Sequence, residues 1–144
     1  MSLAVHQNYA ADGGSPDGTS ANPVNVAAVP LPTGATSLAD SSGIVTQPAD
    51  AVATLASAPG RVVYLTSVAI SGLVTNAAMA ALTITGLAAG TITFGFPLSG
   101  GDVSSIPMGA PMPAAAAGAD IVVTLAAFGD STDAASVMAT GVMI

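Results

Sequence analysis

The sequence predicts an all-β fold: an antiparallel β-sandwich of jelly-roll-like connectivity, preceded by an extended N-terminal arm. Three observations predict it. Thr83-Ile-Thr85 and Thr91-Ile-Thr93 form a near-palindrome around a Gly/Ala-rich gap, the pattern of two alternating strands joined by a hairpin. Arg61 to Ile70 is a dense run of β-branched and apolar residues, as strands favour. From Gly43 onward, short apolar runs alternate with Gly, Pro, Asp and Ser clusters, the punctuation of a many-stranded β domain.

Residues 1–42 differ from the rest. Asp12-Gly-Gly-Ser-Pro-Asp-Gly18 and Ser20-Ala-Asn-Pro23 carry turn chemistry, and Val24-Asn25-Val26 is soon followed by Pro30 and Pro32, which stop strand pairing. A long segment without periodicity is uncommon inside a domain. Two readings stand for 1–42: a disordered leader, or an arm that becomes ordered on a neighbouring subunit, with Val24, Val26, Val29 and Leu31 as apolar beads. Residues 43–144 form the expected β domain.

Within it, Gly43-Ile-Val-Thr46 and Ala51 to Ala56 are short strand candidates. Arg61 to Ile70 is apolar at even and odd positions alike, which reads as a central strand covered on both faces. Ser71 to Ala80 is expected to be a connection that crosses between sheets. In the hairpin, Leu82 and Ile84 share a core face with Ile92, Phe94, Phe96 and Leu98, leaving Thr83, Thr85, Thr91 and Thr93 opposite. Pro107, Pro111 and Pro113 leave Val103 to Met112 a short strand at most. Ala114 to Ala119 is helix-capable but too short to stand alone. Asp120 to Phe128 and Ser136 to Ile144 complete the strands.

Composition narrows function by exclusion. The chain of 144 residues is 51% hydrophobic but only 6% charged, far below the usual quarter. Arg61 is the single basic residue against eight Asp, for a net charge of −7. Phosphate backbones and anionic lipid both call for several cations, so neither nucleic acid nor membrane is an expected partner. No run of about 18 apolar residues suggests a spanning helix, and the N-terminus lacks the basic and apolar regions of a secretory signal. A soluble protein with wide neutral surface is expected, which points toward assembly.

Catalytic groups are scarce. Cys, Glu and Lys are absent, which removes thiol, Glu-based glycosidic and Schiff-base chemistry. His6 is the only histidine, and in the leader it is a poor general base. Asp12 to Asp17 and Asp130 to Asp133 could be called calcium loops, but neither matches the EF-hand pattern or supplies its several oxygen ligands and bidentate Glu. Asx turns are the plainer reading. Arg61 could pair with a nearby Asp or hydrogen-bond across a subunit contact. No catalytic, metal or cofactor residues are therefore assigned.

Val63-Tyr-Leu-Thr66 with Ile70-Ser-Gly72, the Leu82-Thr-Ile-Thr-Gly-Leu87 / Gly90-Thr-Ile-Thr-Phe94 hairpin, and the run from Pro111 and Pro113 through Ala119-Asp-Ile-Val-Val-Thr124 to Ala127-Phe-Gly129 together resemble small virion structural proteins of tailed bacteriophages. The likeness is to head decoration (cement) proteins and covers about residues 58–144. It implies a β-sandwich on the outer surface of a capsid, bound to the major capsid protein and to copies of itself, often as a trimer, without enzymatic activity. A tail, fibre or baseplate component, and a glycan-binding or enzymatic module with Asp-based calcium sites, are the competing readings.

Overall fold

Among the described residues seven strands form the fold, and two of them are far longer than sequence punctuation suggests. The computed structural model describes residues 32–144, and Pro32–Ile144 forms one unit. The strands are β1 (Thr36–Ser41), β2 (Val45–Thr46), β3 (Ala51–Leu55), β4 (Val63–Thr85), β5 (Ile92–Pro113), β6 (Ile121–Leu125) and β7 (Ala134–Met143). All pairings are antiparallel and belong to one sheet. The all-β antiparallel fold is as expected.

The organising element is the β4–β5 hairpin. β4 runs for 23 residues and β5 for 22. One edge of β4 pairs with β5 from Ile84↔Ile92 back to Tyr64↔Pro113. Its other edge is shared: Val63 to Leu73 pairs with β7, and Leu82 to Thr85 with β6. A register shift between Val74 and Ala78 lets β4 turn from one layer into the other, the usual device by which a strand changes layers. The sheet thus folds over on itself and nearly closes. The hairpin tip reaches its own base, where Leu87 bridges Ala114 and Ala114 N donates to Val63 O at 2.7 Å.

Two close approaches hold the layers together. A Cβ on Gly141 in β7 would lie 2.8 Å from Leu55 Cδ1 in β3 and would collide with Tyr64 O. A Cβ on Gly72 in β4 would lie 3.0 Å from Leu98 Cδ2 in β5. The glycines make the troughs and the leucines fill them. Around them Val63, Leu65, Val68, Ile70, Leu82, Ile84, Ile121, Val123, Leu125 and Val137 are buried.

A bulge explains the strand that looked apolar on both sides. β4 buries Val63 and Leu65, shifts register between Leu65 and Ser67, then buries Val68 and Ile70. The inward parity changes from odd to even, so each half of β4 has one core face.

Two expectations are corrected. Ser71 to Ala80 does pass between layers, but as the middle of β4 and paired with β5, not as a connecting loop. Val103 to Met112 lies in continuous strand despite its prolines. The only described strand β5 pairs with is β4, and a proline is tolerated where its missing N–H would face the unpaired edge. Ala114 to Ala119, expected to be too short to stand alone as a helix, indeed forms none: Ala115 N donates to Gly86 O and Gly118 N to Arg61 O.

Among the described residues the first strand starts at Thr36, inside the 1–42 segment expected to be an arm or leader, so part of that segment belongs to the β domain. β1 pairs with β7 along its whole length, from Thr36↔Met143 to Ser41↔Met138. Thr36–Ser41 carries one inward apolar side chain, Leu38, so the ladder rather than a hydrophobic pattern makes this strand. The beads Val24, Val26, Val29 and Leu31, and His6, lie outside the described residues.

Candidate functional site: acceptor carboxylates and neutral faces

The chemistry-bearing residues of the sheet are its aspartates, and five of them, Asp40, Asp50, Asp120, Asp130 and Asp133, hydrogen-bond backbone. Asp40 Oδ2 accepts from Thr54 N at 2.6 Å, joining β1 to β3 where the sheet closes. Asp50 Oδ1 accepts from Ala127 N at 2.7 Å, and Asp120 Oδ1 from Ser57 N at 2.7 Å. Asp133 Oδ1 accepts from Thr75 N at 2.7 Å, and Asp130 Oδ1 from Thr132 N at 2.8 Å and Thr132 Oγ1 at 2.6 Å. A carboxylate that accepts N–H groups is a strong acceptor for donors left over where a ladder ends.

The predicted Asp130–Asp133 turn is built on this principle. Between the end of the β7 pairing at Leu73 and the start of the β6 pairing at Leu82, the edge of β4 has no strand beside it. The 126–133 loop fills the gap: Ala126 N donates to Ala81 O, and Thr75 N to Asp133. Asp133 is buried, and its Oδ2 also accepts from Asp130 N at 3.2 Å. Gln47, buried beside it, takes Phe128 N on Oε1 at 2.8 Å and gives its own N–H to Asp133 O. The hydroxyl of Thr132, then its backbone N–H, holds the exposed Asp130 carboxyl below its ordinary value of 3.8. The turn is an Asx turn in geometry.

Among the described residues, no three His, Cys, Asp or Glu side chains converge to hold a metal ion. Asp12 and Asp17, like His6, lie outside them. Arg61 hydrogen-bonds within its own chain: Nη2 donates to Gly34 O and, at 3.2 Å, to Met143 O. It ties the segment before β1 to the end of β7.

The hairpin's Thr face divides. Thr83 is half-buried and sits 3.3 Å from Thr93, hydroxyl to hydroxyl, across the β4–β5 ladder. Thr93 and Thr91 are exposed. On the opposite side Ile92 and Phe96 pack against the core and Leu98 is buried, whereas Phe94 stays 40% exposed because β5 is a sheet edge.

Sequence patterning missed the outer face of the other layer, formed by β1, β7, β4 and β5. The register places Ser37, Ala39 and Ser41 beside Val142, Thr140 and Met138, then Ala69, Ser71 and Leu73 beside Ser105, Val103 and Gly101. None of these side chains is charged. Ser71 and Ser136 hydroxyls pair at 2.7 Å, and Ser67 with Thr140 at 2.7 Å. At one end Ile44, Leu73 and Val103 project 86%, 63% and 80% exposed around a groove of about 260 Å³. The signal was absent because Leu73 sits in a stretch that reads as a connection and Val103 in one that reads as a short strand at most.

No protein-family model and no curated protein sequence matches the chain.

Proposed function

We propose that this protein is a non-enzymatic structural component of a virion that decorates and stabilises the outer face of a bacteriophage capsid, bound to the major capsid protein and to copies of itself. The observation that carries this reading is the use of the acidic groups. Five aspartates, the main candidates for acid–base or metal chemistry in the described residues, hydrogen-bond the backbone instead. What they leave to the surface is broad neutral β faces, suited to packing on other proteins. The resemblance of residues 58–144 to head decoration proteins supplies the setting.

Localisation tests the reading. Labelled antibody on intact particles should mark the outer surface of the head; a signal confined to the tail would replace this reading with the tail or fibre one. Particles lacking the protein should lose heat resistance and regain it when the purified chain is added back. The arm reading is tested by deleting 1–31 rather than 1–42, because the longer deletion also removes β1. Weakened particle binding by a deletion variant that still melts cooperatively would support an arm role.

A further inference from the structure

We infer that the outer face of β1, β7, β4 and β5 is a self-association surface, on which a second copy of this chain packs through Ile44, Leu73 and Val103. The inference rests on the proposed binding of the chain to copies of itself and names the surface for it, one that does not require a capsid to be present.

Charge selects the occupant. Two copies of net charge −7 repel wherever their carboxylates approach, so they can meet closely only across a face that carries none. This face qualifies by register: its side chains are Ser, Thr, Ala, Gly, Pro and aliphatic, with Met138 and the uncharged Tyr64 among them. A basic partner would gain nothing here and would be drawn to the carboxylates elsewhere. Several of the face's hydroxyls are also committed to one another, as in Ser71–Ser136 and Ser67–Thr140, so little polar capacity is stranded when water leaves.

Shape points the same way. Ile44, Leu73 and Val103 stand up beside a groove floored by small residues, Gly72, Gly101, Ala134 and Ala135. Projections and hollow lie on one face, so a two-fold axis can set each copy's aliphatic prongs into the other's hollow. The three prongs present one contiguous apolar cluster, the kind of surface soluble monomers seldom expose.

The size is adequate for a modest complex. Four strands spaced about 4.8 Å apart, with about eight residues each at about 3.3 Å, give a patch of roughly 500 Å² per copy. A pair would bury about 1,000 Å², the lower limit for a specific interface, so dissociation in the micromolar range is expected.

Sedimentation of the full-length chain over a concentration series tests the inference. The wild type should associate reversibly, and more strongly as salt rises, because screening removes like-charge repulsion without weakening an apolar contact. Leu73→Asp and Val103→Asp should each weaken association by more than about tenfold, since both copies then bury a carboxylate. Both side chains are exposed, so the variants should melt like the wild type. Val52→Asp, an equivalent change on the opposite layer, should leave association intact. A wild type that stays monomeric at about 100 µM, where a micromolar complex would be largely formed, overturns the inference, even if Leu73→Asp abolishes particle binding. So does an oligomer that Leu73→Asp and Val103→Asp leave unchanged.

Discussion

Removing the Asp133 carboxylate should destabilise the β domain by about 2–4 kcal/mol, a large effect for a residue with no part in the apolar core. The magnitude follows from two donors. Thr75 N lies 2.7 Å from Oδ1, at the point where the β4 edge loses its strand partner. Asp130 N lies 3.2 Å from Oδ2, a longer and weaker bond. In Asp133→Ala both donors lose a charged acceptor, and a carboxylate bond of this kind contributes about 1.5–3 kcal/mol. Asp133→Asn keeps Oδ1 for Thr75 and loses only the weaker bond, so about 1 kcal/mol is expected.

Urea denaturation followed by circular dichroism reads both values from the midpoint shift at constant slope. Gly129 supplies a second arm. Its φ is +61°, and a Cβ there would collide with Asp133 Oδ2. Gly129→Ala should therefore displace the carboxylate as well as strain the backbone. The two losses overlap, so the double variant should cost less than the sum of the single ones. If Asp133→Ala costs under about 0.5 kcal/mol, within ordinary surface scatter, the view of Asp133 as the partner of a stranded strand edge is wrong.

Leu98→Ala should cost about 2–5 kcal/mol by opening a cavity over Gly72, and adding Gly72→Ala in that background should recover part of the loss; denaturant melts of the two variants decide this. Gly86→Ala should cost more than about 2 kcal/mol, since its φ is +81° and the new Cβ would strike Asp120 O; thermal melting would show it. The Asp130 carboxyl is held below 3.8 in the folded chain, so its contribution is present above that pH and disappears as pH falls through the lower folded value. The stability gap between wild type and Asp130→Asn, measured in urea across pH 2–6 or so, should close on the acid side and not on the neutral side. Paired Thr83→Lys and Thr91→Lys substitutions should leave self-association unchanged, because they lie on the other layer; loss of the oligomer in sedimentation would move the contact to the hairpin.

How legible the fold was depended on which force made each element. β3, β6, β7 and the hairpin arms were readable because alternating side chains such as Ile121, Val123 and Leu125 are buried in turn. The long middles of β4 and β5 were not. Asn76, Gly100, Gly101 and Pro107 all argue for loop by propensity, yet backbone pairing between the two arms holds them extended. Propensity describes an isolated segment; a ladder is a property of two. β1 was hidden for the same reason, since Thr36–Ser41 is a strand only because β7 lies beside it. Sequence spacing also pointed to the Asp130–Asp133 turn without revealing its task, because the donor it satisfies, Thr75 N, is 58 residues away in the chain.

The placement of the described aspartates and the neutral faces of the sheet have one physical cause. A sheet that folds over on itself strands backbone donors wherever a strand changes layer or loses its neighbour. Each needs an acceptor that reaches in from an adjacent turn. Asp is suited to this: its short side chain brings a charged oxygen close to the backbone with little entropy to lose. Asp40, Asp50, Asp120 and Asp133 perform the task at four separate seams. These four carboxylates, held at seams, are off the broad outer faces, and with no lysine in the sequence those faces receive no lysine charge either. Neutral packing surface is thus a consequence of how the sheet satisfies its own backbone. Moving one charge onto a face, as in Leu73→Asp, should disturb assembly while sparing the fold, whereas removing one from a seam, as in Asp133→Ala, should disturb the fold first.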